Sequence, residues 1–254
     1  MKRLPLPNFQ TDLVYDTCTR SISEQDVRTR FQNLRDVFLA HGESYLQHAL
    51  NNELFRIQPI IVDSDNATVM GHVTLGEFKK LYSNQFVGKN KPARTWYDQL
   101  ITSSPQGRCP LCGFGQASTI DHFLPKAKFS WLSIFIPNLV PACKDCNHGK
   151  GIEVANAARE QILHPYFEDP RIEAEQWLFA NIEYTDPISL NYIARPPAGW
   201  SAELSSRVTN HLRELELSRR FGLEAANELA SLKPMLTAIG QAGGLCRRSP
   251  SNEI

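Results

Sequence analysis

Two Cys-x-x-Cys pairs, Cys109/Cys112 and Cys143/Cys146, bracket an Asp121-His122 dipeptide and Asn138, and Asn147 follows the last cysteine directly. A Cys-x-x-Cys pair presents two thiolates that grip one ion at about 2.3 Å, and two such pairs complete a closed tetrahedral site. With no open position for a substrate, such a site is structural. Its binding energy becomes folding energy for a loop-rich segment that lacks a large core of its own. Pro110 and Gly113 supply the turn geometry that a knuckle around the ligands needs. Zinc is the expected ion, with an iron–sulfur cluster as the chemical rival.

The 30 residues between Cys112 and Cys143 hold chemistry of another kind. Hydrolysis of a phosphodiester needs an activated water, a cation on the reacting oxygens and an acceptor for the water's proton. Asp121 and Asn147 offer oxygens to a hard cation, Mg²⁺ or Mn²⁺. His122 has the intrinsic pKa to accept a proton near neutrality. Lys126 and Lys150 are placed to contact phosphate. His148 rivals Asn147 as the third site residue, but one step along a helix turns a side chain by about 100°, so the two cannot share a role.

These residues need elements to hold them. Thr119–His122 and the stretch around Asn138–Val140 read as strands of one hairpin, and the second knuckle runs into a short helix from about Cys143 to Lys150. Neighbouring strand residues point to opposite faces, so a twist or bulge is expected where Asp121 and His122 meet the site. The first 60 residues read as helical. Ser23 with Asp26 suggests a capping box, Gly42-Glu43 an interruption, and Ser44 a new N-cap. Pro59–Val62 reads as a short strand and Asp63–Asn66 as a turn. Thr74 with Glu77 forms a second capping-box pattern before a helix to about Gln85. Beyond the site, Trp177–Ile193 reads as two strands around an Asp186-Pro187 turn. Helical spacing resumes at Ser201 and repeats beyond Gly222. Pro234 should end or kink that helix, and the tail from Gly240 should fray.

The expected class is therefore α+β. A mainly helical region spans 1–75, a metal-bearing domain 76–167, and a strand pair with helices 168–254. Apolar content of 42% and charged content of 21% are those of a globular chain. There is no apolar run long enough to span a bilayer and no apolar leader near Met1, so a cytoplasmic protein without membrane association is expected. Net charge is zero, but Gly76–Gly151 carries ten Lys/Arg against four acids, an excess that suits a phosphate-rich partner. Cys18, Cys246 and the histidines other than His122 and His148 have no ligand partner at suitable spacing.

Taken together, Cys109-x-x-Cys112, Asp121-His122, Asn138, Cys143-x-x-Cys146-Asn147 and Lys150 resemble the zinc-knuckle branch of the HNH endonucleases, most closely over Arg108–Gly151. The resemblance implies a ββα-metal core and hydrolysis of DNA or RNA. It makes His122 the general base, Asp121 a ligand of the catalytic cation and Asn138 the brace of the His122 loop. Asn147 stands where the family name places its last histidine. More loosely, Asp121–Lys126, Asn138–Asn147 and His164-Pro165-Tyr166 are similar to the HNH partner nucleases of Septu-type anti-phage defence. That similarity implies an antiviral role beside an ABC-type ATPase. The competing expectation is a zinc-ribbon module that binds nucleic acid or protein without cutting.

Overall fold

A computed structural model describes residues 1–185 and 188–245. Asp186-Pro187, Cys246 and the remainder of the tail lie outside the described residues. The chain is a mixed α+β protein in which, among the described residues, three small two-stranded antiparallel sheets are embedded among helices.

Helices α1 (Thr11–Arg20), α2 (Gln25–Asn33) and α3 (Arg35–Leu50) open the fold. Helix α2 starts at Gln25 behind Glu24, so Ser23 falls one residue outside the cap position and makes no capping bond. The expected interruption at Gly42-Glu43 is absent; the break falls at Leu34, and α3 runs through Gly42. Gly42 serves close approach instead. A Cβ built there would lie 2.6 Å from Phe135 Cε2, so only the bare backbone lets that ring pack on the helix. Phe135 in turn meets Phe38 and Tyr45 edge-on, which locks α3 to the segment leading into the site.

Pro59–Val62 does not form the expected strand. Only Ile60 reaches a distant backbone partner there, donating to the Lys128 carbonyl at 3.0 Å, and a strand needs a ladder. The pairing occurs later, between β1 (Thr68–Met70) and β2 (Val73–Thr74), around Gly71 and His72, both at positive φ. Helix α4 (Leu75–Lys80) begins with the capping box read from the sequence. Thr74 Oγ1 accepts from the Glu77 amide at 3.3 Å, and Glu77 Oε2 accepts from the Thr74 amide at 2.9 Å. The chain then loosens into a π-helical turn over Leu81–Phe86 before α5 (Arg94–Thr102), a helix with no counterpart among the expected elements.

Next come β3 (Thr119–His122), β4 (Leu139–Ala142) and α6 (Lys144–Gly149), followed by the short α7 (Arg171–Ala174). The hairpin of β5 (Leu178–Glu183) and β6 (Ser189–Ala194) leads to α8 (Ala202–Glu214) and α9 (Leu217–Leu245). Ser201 caps α8 by accepting from the Leu204 amide at 3.1 Å. The bend into α9 lies at Leu215-Glu216, where Glu216 takes a positive φ. Helix α9 passes through Pro234 and Gly240 to Leu245. The Ala230 carbonyl, denied a partner by the proline, belongs to an exposed residue where water can bond it.

Two hydrophobic clusters meet at β3–β4–α6. One gathers Tyr15, Phe31, Phe38, Tyr45 and Phe86 with Ile120, Leu139 and Val140. The other surrounds the four cysteines with Ala142, Leu163, Trp177, Leu204, Val208 and Leu212. A buried ion pair, Glu168–Arg207 at 2.7 Å, ties the segment after β4 to α8 within this second body. The small hairpin is thus held from both sides.

Helix propensity and packing make opposite predictions for Gly42→Ala. Propensity alone would stabilise by about 0.5–1 kcal/mol, whereas overpacking against Phe135 should cost about 1–3 kcal/mol. Destabilisation in urea denaturation is the expected outcome.

Candidate functional site

The four cysteine sulfurs all lie within 4.8 Å of one another and are buried. Cys112 Sγ and Cys143 Sγ stand 3.8 Å apart. That is far beyond a disulfide, but it matches the roughly 3.8 Å edge of a tetrahedron built on 2.3 Å bonds. The four thiols can therefore hold one metal ion such as zinc.

Local backbone explains the convergence. Cys109 donates its amide to the Gly115 carbonyl and accepts from the Gly113 amide, both at 2.7 Å, while Gly113 takes the left-handed conformation that closes the turn. The Gly115 amide donates to Cys112 Sγ at 3.3 Å, and a Cβ at Gly115 would sit 2.9 Å from Cys143 Sγ. In the second knuckle Cys143 is the N-cap of α6, its sulfur accepting from the Cys146 amide at 3.4 Å. Each knuckle thus aims a backbone N–H at a sulfur, which favours thiolate over thiol.

From this anchor, β3 pairs with β4 in unbroken register, Asp121 opposite Val140 and His122 opposite Leu139. The expected bulge is absent, and pairing continues past the strand, with the Phe123 amide donating to the Asn138 carbonyl at 2.8 Å. The two side chains accordingly enter different surroundings. Asp121 is buried and accepts both contacts of Lys150 Nζ, at 2.9 and 3.1 Å. Burial raises its carboxyl above the ordinary range, and the Lys150 ammonium pulls against that rise. The same ammonium donates to the His122 carbonyl at 2.6 Å. Lys150 is therefore turned inward, engaged with Asp121 rather than free for phosphate. Among the described residues its three acceptors converge on one point, a seat for a cation.

His122 lies against Tyr82, ring centroids 4.5 Å apart, and its Nε2 meets the Ser133 carbonyl at 2.9 Å. A carbonyl only accepts, so Nε2 carries the proton and Nδ1 keeps its lone pair. Burial pushes the imidazole down to about 3, with the charges of Lys126 and Lys150 adding to the effect. The ring is neutral near pH 7. Lys126 reaches over the face of Tyr82, 4.7 Å from its centroid. The π-helical turn that supplies Tyr82 had looked in sequence like an ordinary apolar stripe.

Asn138 is fully buried and ties down the loop after His122. Its Oδ1 accepts from the Leu124 amide at 2.7 Å, and its Nδ2 donates to the Leu124 carbonyl at 3.1 Å. Asn147 and His148 part company on α6. Asn147 Nδ2 donates to Thr119 Oγ1 at 3.1 Å and the Ile120 carbonyl at 3.4 Å, while His148 is exposed beside Asp145 and Arg219. Asp121 and the His122 carbonyl are occupied by the Lys150 ammonium in this structure.

Behind the site, His164 Nδ1 accepts from the Tyr166 amide at 3.2 Å, and its Nε2 faces Tyr45 Oη at 3.1 Å. His164 also packs on Phe123, ring centroids 3.9 Å apart, and burial holds it neutral. Cys18 is a buried thiol of α1.

The structure thus defines a mixed α+β protein organised around a four-cysteine site able to take a metal ion. No family model and no solved structure matches the chain. It is 35% identical over 234 residues to protein ea31 of Escherichia phage lambda, covering 91% of this chain and 79% of that protein. The chain belongs to the family of protein ea31. No described helix is long and apolar enough to cross a membrane.

Purified protein should carry about one zinc per chain, measured by elemental analysis against protein concentration. Cys143→Ser removes a thiolate ligand while leaving a hydroxyl that can still cap α6. It should lose the metal and give a lower, broader melting transition; full zinc loading in that variant would remove Cys143 from the ligand set.

Proposed function

We propose that this protein is a metal-dependent nuclease with a ββα-metal core of the HNH type. The observation that carries the reading is the fixed tautomer of His122. Its Nε2 is committed to the Ser133 carbonyl, which leaves a neutral imidazole with Nδ1 free as a base at the end of β3.

The order β3, β4, α6 around the four cysteines supports the reading, as does the position of Asp121 beside His122. In this account His122 takes the proton of the attacking water, and Asn138 holds the loop that keeps the ring in place. Asp121 supplies anionic oxygens for Mg²⁺ or Mn²⁺, and Asn147 fixes α6 to β3. Such a cation, when bound, stabilises charge on the phosphate oxygens and the leaving group. Lys126, outside the barrier of buried groups and above Tyr82, is the lysine positioned to meet substrate phosphate. The substrate is nucleic acid, DNA or RNA. The similarity to defence nucleases adds an ABC-type ATPase partner and an anti-phage role to the proposal.

A zinc-ribbon binding module without catalysis is the second reading, and the seat of Lys150 on Asp121 favours it, because the carboxylate is already neutralised.

Cleavage of plasmid DNA and of total RNA in Mg²⁺ or Mn²⁺ separates the two. The nuclease reading expects cleavage of one substrate, reduced about 10²–10⁴-fold in His122→Ala with zinc content retained and the protein folded. Equal cleavage by wild type and variant would remove His122 as the base, and binding with no cleavage by either would give the second reading the lead.

A further inference from the structure

The metal site carries a charge problem that the cysteines alone do not solve. Four thiolates around one divalent ion leave two negative charges in excess, buried here in an apolar cluster. Uncompensated charge in such surroundings is costly. The first turns of α9 bring one cation to it. Arg220 Nη1 lies 3.2 Å from Cys146 Sγ, and Nη2 lies 3.6 Å from Cys143 Sγ.

Its other contacts orient the guanidinium for that task. Nη1 also donates to the Leu215 carbonyl at 3.3 Å, and the plane lies over Phe114, 5.1 Å from the ring centroid. Asp145 is a secondary partner at 3.4 Å, with its own side chain 76% exposed against 11% for Arg220. The sulfurs are thus the buried partners. Helix α8 grips the other knuckle: His211 Nδ1 accepts from the Leu163 amide, so its protonated Nε2 donates to the Leu111 carbonyl at 2.8 Å.

We propose that Arg220 is the positioning residue of the metal centre. It offsets part of the thiolate charge, hydrogen-bonds the two sulfurs of the second knuckle and fastens the loaded site to α9. Groups that hydrogen-bond metal ligands commonly set affinity by about 10–100-fold. A guanidinium meets two sulfurs through a rigid planar fork, whereas an ammonium is a point charge on a flexible stem. This inference concerns the cysteine site alone and stands apart from the nuclease reading.

The test is competition for zinc between holoprotein and a chromophoric chelator, with the cobalt-substituted protein followed by absorption. Arg220→Gln should weaken zinc binding about 10–100-fold and move the thiolate-to-cobalt charge-transfer band to longer wavelength, because the sulfurs lose a donor. Arg220→Lys should restore only part of the affinity. Arg219→Gln, which removes an exposed neighbour paired with Glu216, should behave as wild type. Wild-type affinity and an unmoved band in Arg220→Gln would reduce Arg220 to a packing contact on Phe114. Should Arg220→Gln not fold, Arg220→Met removes the same charge and donors while keeping an apolar stem over Phe114, and wild-type affinity with an unmoved band there would overturn the proposal equally.

Discussion

Everything around the candidate site depends on four sulfurs reaching one point. The ligands come in two pairs separated by a long loop, and they meet inside the second hydrophobic cluster. Bringing them within metal-binding distance closes that loop and sets β3 beside β4. Loop closure of this length carries an entropic cost that grows only slowly with length, so a single ion such as zinc can hold the segment that also carries Asp121 and His122. The knuckles' geometry, with Gly115 forced against Cys143 and Cys143 capping α6, leaves little freedom in how the hairpin and helix meet.

Charge balance follows from that placement. The hairpin is inserted between two hydrophobic clusters, so its polar groups sit where water does not neutralise them. Lys150 matches Asp121, Arg220 approaches Cys143 and Cys146, and Arg207 matches Glu168. The histidines are handled differently. His122, His164 and His211 are kept neutral by burial, and each is given a tautomer by a backbone group. In His122 this leaves Nδ1 as the basic nitrogen, a property read from one carbonyl 2.9 Å away.

Residues whose chemistry depends on close sequence neighbours were legible from the chain. The knuckles, the strand ending in Asp121-His122, the helix after Cys143 and the Thr74/Glu77 cap all rest on local spacing. What sequence reading lacked was tertiary. Gly42 looked like a helix breaker because its partner, Phe135, lies far along the chain. Arg220 stands 74 residues from Cys146 and belongs to no motif. Tyr82 reaches His122 only because a π-helical turn rotates it there. Lys150 was read as a phosphate contact from its charge, and its inward pairing with Asp121 became visible only with the fold. A twist or bulge was expected at Asp121-His122, and the register there is unbroken, with Asp121 opposite Val140 and His122 opposite Leu139.

The four-cysteine site, once it holds a metal ion, keeps the β3–β4 hairpin in place. This is tested most directly by hydrogen exchange on the protein before and after zinc is stripped by a chelator. Amides of β3, β4 and α6 should lose protection on stripping, while α1–α3, packed in the other cluster, stay protected. Unchanged protection across Thr119–Gly149 in verified metal-free protein would mean that packing alone builds the site, and would contradict the account.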